Sequence, residues 1–177
     1  MVMSPEIWRH IFDAIDDPIF LHDQEYRLLL ANCAYLQAAG MEEAEAVGKP
    51  YWEVFPRNGG PLPGCKRALD GECAESADEA RAGERLFISR GYPVRDEQGN
   101  VCYSLHILSD ITEQRKAELH LAHLNRMYRT ISLCNQTLVR AQDELELARG
   151  MCRVLVEKGE FRAAWVGYAE QDAGKSI

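Results

Sequence analysis

A chain of 177 residues with 46% hydrophobic and 27% charged residues has room for one ordinary domain and part of another, and it is too apolar to be disordered. The acidic excess behind its formal net charge of −8 lies in residues 1–112 with no basic cluster, which argues against a nucleic-acid or anionic-lipid partner. No stretch reaches the roughly 18 apolar residues of a membrane span, no secretory signal is present, and the six cysteines include no C-x-x-C pair. We therefore expect a cytoplasmic protein with reduced thiols and no membrane partner.

The first elements are a helix and a hairpin. Ser4 supplies a capping hydroxyl and Pro5 a proline for the first turn, which predicts a capping helix over residues 4–16. Two short β-type runs, 19–23 and 26–31, are separated by two residues, which is the spacing of a hairpin.

Short helices follow the hairpin. Asn32 is placed to cap a helix that closes at Gly40, and a second short helix ends at Gly48. A concentrated aromatic cluster containing Trp52 and Phe55 comes next, ahead of a loop rich in glycine and proline.

Beyond that loop the hydrophobic period changes from that of a helix to that of strands. Cys65 and Leu69 share one face of a short helix. The runs after it alternate with a period of two and predict an antiparallel meander of residues 75–81, 84–95 and 100–109. Two strands, several helices and three further strands predict an α+β fold in which helices cover one face of a single antiparallel sheet.

The chain after residue 112 is predicted to form a long helix with heptad spacing. Apolar residues recur at steps of four and three, as on the seam of a two-stranded coiled coil, and they include Leu121, Leu124, Tyr128 and Ile131. Two later seam positions, Asn135 and Gln142, are polar. Either these polar residues fix the register of a dimeric coil, or the coil ends near Ile131 and another fold begins.

The C-terminal part predicts the beginning of a second domain. Asp143 and Glu146 have capping-box spacing ahead of an amphipathic helix, and residues 161–168 have the composition of a strand. One helix and one strand bury too little apolar surface to form a domain. We therefore divide the chain into a domain at 1–112, a signalling helix at 113–140 and a truncated second domain at 141–177.

Four segments resemble, in their order and spacing, the successive signatures of a bacterial PAS sensor domain. They are residues 13–20, residues 27–32, Gly91-Tyr92-Pro93-Val94-Arg95-Asp96 with Gly99, and Asp110-Ile111-Thr112-Glu113. The resemblance covers about residues 5–115. It implies a five-stranded antiparallel sheet with a helical side wall around a ligand pocket, and a signalling helix that leaves the last strand. Residues from about 120 to 177 are similar to the opening of a GAF domain, a related sensory fold.

The resemblance also implies a function. Such domains usually lie upstream of histidine kinases, diguanylate cyclases or phosphodiesterases, and none of those catalytic signatures occurs in this sequence, so we expect no enzymatic activity from these residues. In that family the Asp-Ile-Thr segment couples the sheet to the exit helix, which makes Asp110 and Thr112 the expected signal junction. A small ligand or a redox change would then act on a homodimer through its helices. The alternative is a ligand-free dimerisation spacer with a filled interior.

The candidate ligand pocket takes residues from the aromatic cluster, the side-wall helix and the last strand: Trp52, Phe55, Cys65, Leu69, His106 and Leu108. Trp52 and Phe55 are either plain core residues or the walls of a cavity. By similarity to the family, His106 and Leu108 face the interior. We take His106 to be the one histidine on a pocket-forming strand, as either a hydrogen-bonded structural residue or a ligand contact.

Several cofactors are disfavoured, and the ligand stays unknown. Haem needs an axial ligand, commonly histidine, and the predicted side-wall helix has none. Residues 32–37 are similar to the photoactive cysteine motif of flavin-binding light sensors, but they follow the second strand directly and have alanine where that motif has arginine. Nothing in the sequence activates Cys65 and Cys73 as a redox pair. His120 and His123 are better explained as a solvated helix face than as a metal site, and no metal site is expected.

Overall fold

The computed structural model describes residues 4–70 and 76–167. The chain divides into two compact units, Met1–Gln114 and Arg115–Ile177. In chain order, the elements of the first unit are α1 (Pro5–Asp13), β1 (Ile19–His22), β2 (Leu28–Ala31), α2 (Cys33–Ala39), α3 (Glu43–Ala46), α4 (Tyr51–Val54), α5 (Pro63–Leu69), β3 (Ser76–Ala82), β4 (Arg85–Arg95) and β5 (Val101–Asp110). Helix α6 (Thr112–Arg140) begins in the first unit, and α7 (Glu144–Glu157) lies in the second.

The five strands form one antiparallel sheet in the order β2-β1-β5-β4-β3. Strands β2 and β3 are therefore the two edges of the sheet, and the chain between them forms the four short helices α2 to α5. Along β5, Ser104, His106 and Leu108 are buried while their neighbours are partly exposed, as expected when alternate side chains face opposite sides of a sheet. The prediction of an α+β fold with a five-stranded antiparallel sheet is confirmed.

Asn32 shows how one local signal organises the start of the fold. Its Oδ1 accepts hydrogen bonds from the backbone N–H of Tyr35, which caps α2, and of Ile19, the first residue of β1, both at 2.9 Å. Its Nδ2 donates to the carbonyl oxygens of Ile15 and Asp17 at 3.0 and 2.9 Å. The predicted cap is confirmed, and the same side chain also fixes the chain between α1 and β1.

Other predicted helix boundaries are close to those in the structure. Ser4 caps α1 by accepting from the N–H of Ile7, although α1 ends at Asp13 rather than at residue 16. Gly40 closes α2 with a φ of 64°, a left-handed conformation that favours glycine. Most of the aromatic cluster forms helix α4, which the sequence interpretation did not assign to a helix, and Phe55 follows it in an extended conformation.

The core of the first unit lies between the sheet and the short helices. Its largest fully buried hydrophobic side chains are Tyr35, Tyr51, Phe20, Phe87, Leu28, Leu108 and Val54. The ring of Phe20 lies 4.9 Å from that of Tyr35 and 5.0 Å from that of Tyr51, measured between centroids. Fully burying one large apolar side chain stabilises a fold by roughly 1.5–3 kcal/mol, so this aromatic group is a main source of stability.

The second unit is a pair of helices in its described residues. Asp143 caps α7 by accepting from the N–H of Glu146 at 2.7 Å, as predicted. The predicted strand at residues 161–168 is wrong over residues 161–167, which contain no strand, and residue 168 lies outside the described part. The described residues of this unit contain no strand with which residues 161–167 could pair. A strand without a partner would leave its backbone N–H and C=O groups without hydrogen bonds.

The heptad positions predicted from the sequence are divided between α6, the turn after it and α7. Helix α6 runs past Ile131 to Arg140, while Gln142 lies in the following turn and Leu145 in α7. The helix that carries most of the heptad positions therefore ends at Arg140, and its pairing with a second copy as a coiled coil stays a prediction. Among the described residues, no helix is both long and apolar enough to cross a membrane.

Candidate functional site

A cluster of two histidines and a cysteine lies between the sheet and helix α5. His22 is the last residue of β1, His106 is in the middle of β5, and Cys65 is on α5. All three side chains are buried, with relative exposures of 0%, 1% and 0% for His22, His106 and Cys65. One ligating atom from each lies within 4.8 Å of the other two, and it is the one such group of three or more in residues 4–70 and 76–167.

The register between β1 and β5 brings the two histidines together. Phe20 is opposite His106, and His22 is opposite Ser104, so the histidines are diagonal neighbours on the buried face. Their rings are stacked with centroids 5.0 Å apart, and the two Nε2 atoms are separated by 3.2 Å. The ring of Phe20 stacks on that of His106 at 4.9 Å and lies 6.1 Å from that of His22, measured between centroids.

Helix α5 positions Cys65 against the histidines. The N–H of Gly64 donates to Oδ2 of Asp78 on β3 at 2.7 Å, and the guanidinium of Arg67 lies 3.8 Å from the same carboxylate. These contacts hold the helix against the sheet. Sγ of Cys65 consequently lies 3.4 Å from Nε2 of His106.

The tautomer of His22 follows from its hydrogen bond to the backbone. Its Nδ1 is 2.7 Å from the carbonyl oxygen of Asp23, and because a carbonyl can only accept, Nδ1 carries a proton. Burial lowers the pKa of His22, which favours the neutral ring at neutral pH. The lone pair of a neutral His22 is therefore on Nε2, and it faces the cluster.

His106 is enclosed by hydroxyl groups as well as by His22 and Cys65. Its Nδ1 is 3.1 Å from Oγ of Ser89, and its Nε2 is 3.0 Å from Oγ of Ser104. Burial, with a smaller contribution from the charge of His22, lowers the pKa of His106 to about 3. The ring is therefore neutral at neutral pH, and either of its nitrogens can carry the proton because a serine hydroxyl both donates and accepts.

Tyr51 connects the cluster to the loop before α5. Its Oη accepts from the N–H of Leu62 at 2.7 Å, which leaves the phenolic hydrogen to be donated to Sγ of Cys65 at 3.0 Å. Burial raises the pKa of Cys65 to about 11, although the hydrogen bond from Tyr51 acts in the opposite direction. Cys65 is therefore a neutral thiol at neutral pH while nothing else binds it.

A second polar network joins the end of β5 to the start of β4. Oδ1 of Asp110 accepts from the backbone N–H of Thr112 at 2.9 Å and from its hydroxyl, and Oγ1 of Thr112 accepts from the N–H of Leu86 at 2.9 Å. The carboxylate of Asp110 also forms an ion pair with Arg85 at 2.7 Å. These bonds fix the first residue of α6 to the sheet.

Comparison with known proteins identifies the fold. A family model described as a PAS fold matches residues 12–116, which is more than half of the chain. The chain belongs to the PAS fold family. PAS domains are sensory modules without catalytic activity of their own, and they commonly dimerise.

The relatives of this PAS domain include a signalling protein. It is 32% identical over 133 residues to the sensor histidine kinase TmoS of Ectopseudomonas mendocina, and the match covers 68% of this chain and 14% of TmoS. A PAS domain from Colwellia psychrerythraea is 18% identical, with 61% of this chain and 97% of that chain covered and a TM-score of 0.49. An RNA-binding light-oxygen-voltage receptor is 19% identical, with 71% and 38% covered and a TM-score of 0.54, which shows a shared fold.

The structure places the predicted pocket residues of this PAS domain in two groups. Phe55, Cys65, His106 and Leu108 are buried, whereas Trp52 and Leu69 are partly exposed. Cys65 and His106 are brought into contact. The ring of the partly exposed Trp52 packs edge-on against that of the buried Tyr51, at a centroid distance of 5.4 Å. Cys73, the other half of the redox pair considered above, lies outside the described residues.

The sequence interpretation missed His22. The statement that His106 is the one histidine on a pocket-forming strand is wrong, because β1 ends with a second buried histidine on the same face of the sheet. A signal was present, since His22 is two residues after Phe20 in the predicted strand and must share its face. Ser89 and Tyr51, which contact His106 and Cys65, were also missed.

Proposed function

We propose that this PAS domain is the sensory module of a larger, cytoplasmic bacterial signalling protein. A change at the His22–Cys65–His106 cluster would alter the junction at Asp110 and Thr112 and pass into helix α6 of a homodimer. The observation that carries the proposal is the bonding of Thr112 to both Asp110 and Leu86, because it links the exit helix to two strands of the sheet.

The two polar networks lie on the same pair of strands. Ser89 on β4 contacts His106 on β5 within the cluster. Leu86 and Asp110, farther along those strands, contact Thr112 at the junction. A ligand or redox change that shifted His106 would therefore act on strands that also hold the first turn of α6. Signalling requires that the ligand favour one of two such arrangements over the other.

The exposed face of α6 supports a dimeric output helix. Leu121, Leu124, Tyr128 and Ile131 have relative exposures of 62%, 49%, 74% and 56%. They recur at alternating steps of three and four, as expected for residues that pair with a second copy of the helix. Apolar side chains left in water at this spacing favour association, since their burial removes apolar surface from solvent.

The catalytic output is proposed to lie in another part of the parent protein. The chain matches only 14% of the sensor histidine kinase TmoS. In our proposal, residues 141–177 are the beginning of a GAF-like domain, and a histidine kinase or diguanylate cyclase domain provides the output.

A second candidate function is a ligand-free dimerisation spacer. The packed interior favours it, because the ring of Phe20 contacts those of Tyr35, Tyr51 and His106 at centroid distances of 4.9–5.0 Å. In that case the cluster would have no role in signalling, and α6 would supply the function.

The two candidates are separated by substitutions at the junction of the intact parent protein. We expect Asp110→Asn and Thr112→Val to change its basal output activity severalfold while the protein remains folded and dimeric. Asp96→Asn is the matched control, because Asp96 accepts equivalent backbone bonds from Gln98 and Asn100 at the other end of the β4–β5 hairpin. Output that is the same in wild type, junction variants and control would overturn the sensory proposal.

A further inference from the structure

We propose that the cluster is a metal site in which Nε2 of His22, Sγ of Cys65 and Nε2 of His106 bind one thiophilic d¹⁰ ion, Cu⁺ or Zn²⁺. This inference goes beyond the sensory function proposed above, because metal binding is an equilibrium property of the chain. It holds whether or not the output of a parent protein responds.

Two of the three ligand-atom separations are close to those of ligands around one ion, and the third, between Cys65 and His22, is within 4.8 Å. Metal–nitrogen bonds of about 2.0–2.1 Å and metal–sulfur bonds of about 2.3 Å place neighbouring tetrahedral ligands about 3.3–3.6 Å apart. The two Nε2 atoms are 3.2 Å apart, and Sγ of Cys65 is 3.4 Å from Nε2 of His106. An ion therefore requires only small side-chain movements.

The surrounding groups orient the ligands. A histidine that binds a metal commonly donates its other N–H to a carbonyl, and His22 does so to Asp23. Ser89 can accept from Nδ1–H of His106, which makes the Nε2 lone pair available for the ion. When the ion binds, the thiol of Cys65 loses its proton to solvent as the sulfur–metal bond forms. Tyr51 then donates its hydroxyl hydrogen to the thiolate.

Hydrogen bonding alone accounts less well for the same contacts. Nε2 of His106 lies within 3.4 Å of polar atoms from His22, Cys65 and Ser104. A neutral imidazole nitrogen has either one hydrogen or one lone pair, so it makes one good hydrogen bond and leaves the other two groups competing. A single ion satisfies both histidines and the cysteine at once.

Charge and coordination number favour Cu⁺ over Zn²⁺. One thiolate and two neutral imidazoles neutralise Cu⁺, whereas Zn²⁺ would leave a buried net charge of +1 and would take a fourth ligand. Asp78 does not offset that charge freely, because its carboxylate already contacts Gly64 and Arg67. A set of one thiolate and two imidazoles suits either metal. The preference for Cu⁺ therefore rests on the buried position of the site, where a net charge is unfavourable.

The test is metal binding by the 177-residue chain. Metal-free protein is titrated with Cu⁺ under anaerobic reducing conditions against a chromophoric Cu⁺ chelator, and separately with Zn²⁺ against a zinc-binding dye. We expect one ion per chain and a lower dissociation constant for Cu⁺. Cys65→Ser and His22→Gln should each weaken binding more than about 100-fold, since loss of a mere outer-shell partner costs about 10–100-fold.

Two controls address ligands outside the cluster. Cys33→Ser removes an exposed thiol, and the double variant His120→Ala/His123→Ala removes the exposed histidines of α6; both should bind as wild type does. Circular dichroism confirms that each variant is folded. Binding that is lost equally in Cys33→Ser, or kept in Cys65→Ser, would overturn the site.

X-ray absorption at the metal edge of the wild-type protein needs no variant. One sulfur and two nitrogen ligands are expected, and a spectrum without sulfur, or no stoichiometric binding of either ion, overturns the proposal. Tighter Zn²⁺ binding with the same ligands would uphold the site and overturn the charge argument. Because these measurements use no output activity, the metal site and the sensory function can fail separately.

Discussion

Nε2 of His22 and Nε2 of His106 face each other at 3.2 Å, although 84 residues separate them in the chain. Both rings are buried and in contact with Phe20. Burying this pair removes four ring nitrogens from water. Two apolar residues of similar volume would avoid that desolvation and would give the fold a larger free energy of unfolding. The pair is thus the part of the interior that a ligand-free spacer would not require.

Asn32 is predicted to be one of the most sensitive positions in the first unit. Asn32→Ala removes the bonds to Ile19 and Tyr35 as well as those to two carbonyl oxygens. The loss of the cap alone costs about 0.5–2 kcal/mol, and the buried partners left unpaired raise the total above about 2 kcal/mol. Urea denaturation measures the change. Ser4→Ala removes the exposed cap of α1 and should cost about 1 kcal/mol or less. Equal losses for the two variants would contradict the central role of Asn32.

The stabilising effect of Asp110 is predicted to depend on pH. Hydrogen bonds from Thr112 and the ion pair with Arg85 lower the pKa of Asp110 in the folded protein. A lowered folded-state pKa means that the carboxylate stabilises the fold above its unfolded pKa of about 3.9, and that this effect disappears as the pH falls through the folded value. The melting temperature of Asp110→Asn should therefore be below that of wild type at pH 7, with the gap narrowing as the pH falls below the unfolded pKa. A gap that stays constant from pH 7 to pH 3 would contradict the assignment.

Gly150 is predicted to be required where α7 meets α6. A Cβ atom at this position would lie 2.5 Å from Cγ2 of Thr137. Gly150→Ala should destabilise the protein by about 1–3 kcal/mol through overpacking, even though alanine is favoured over glycine in a helix by about 1 kcal/mol. Thr137→Ser removes Cγ2, so the double variant should recover most of the loss. Chemical denaturation of the four proteins tests the coupling, and additive effects would refute the contact.

The apolar face of α6 is predicted to hold a homodimer together. Leu124→Glu and Ile131→Glu combined should shift the chain to a monomer at micromolar concentration, because charged residues at seam positions prevent close packing. Sedimentation velocity reports the mass directly. Leu119→Glu is the matched control, since Leu119 is 66% exposed on the same helix but lies off the heptad seam. Dissociation by Leu119→Glu, or a dimer that survives the double substitution, would argue against this interface.

Features set by neighbouring residues were predictable from the sequence. The caps at Ser4, Asn32 and Asp143 and the left-handed Gly40 depend on bonds within a few residues, and each is found where the pattern indicates. Strand alternation in 100–109 likewise placed His106 and Leu108 on one face, and both are buried. The order of strands and helices followed from these local signals.

Tertiary structure decided which of those local features became a site. The pairing of β1 with β5 places His22 beside His106. The packing of α5 against β3 places Cys65 next to His106. No short-range sequence pattern specifies either contact. Residues 161–167 have the composition of a strand but no strand partner among the described residues, and the heptad spacing of the sequence extends past Arg140, where helix α6 ends. Composition and periodicity describe what a segment can form by itself. Packing and strand pairing between distant segments determine which of those tendencies is realised, because their free energies exceed the local preferences.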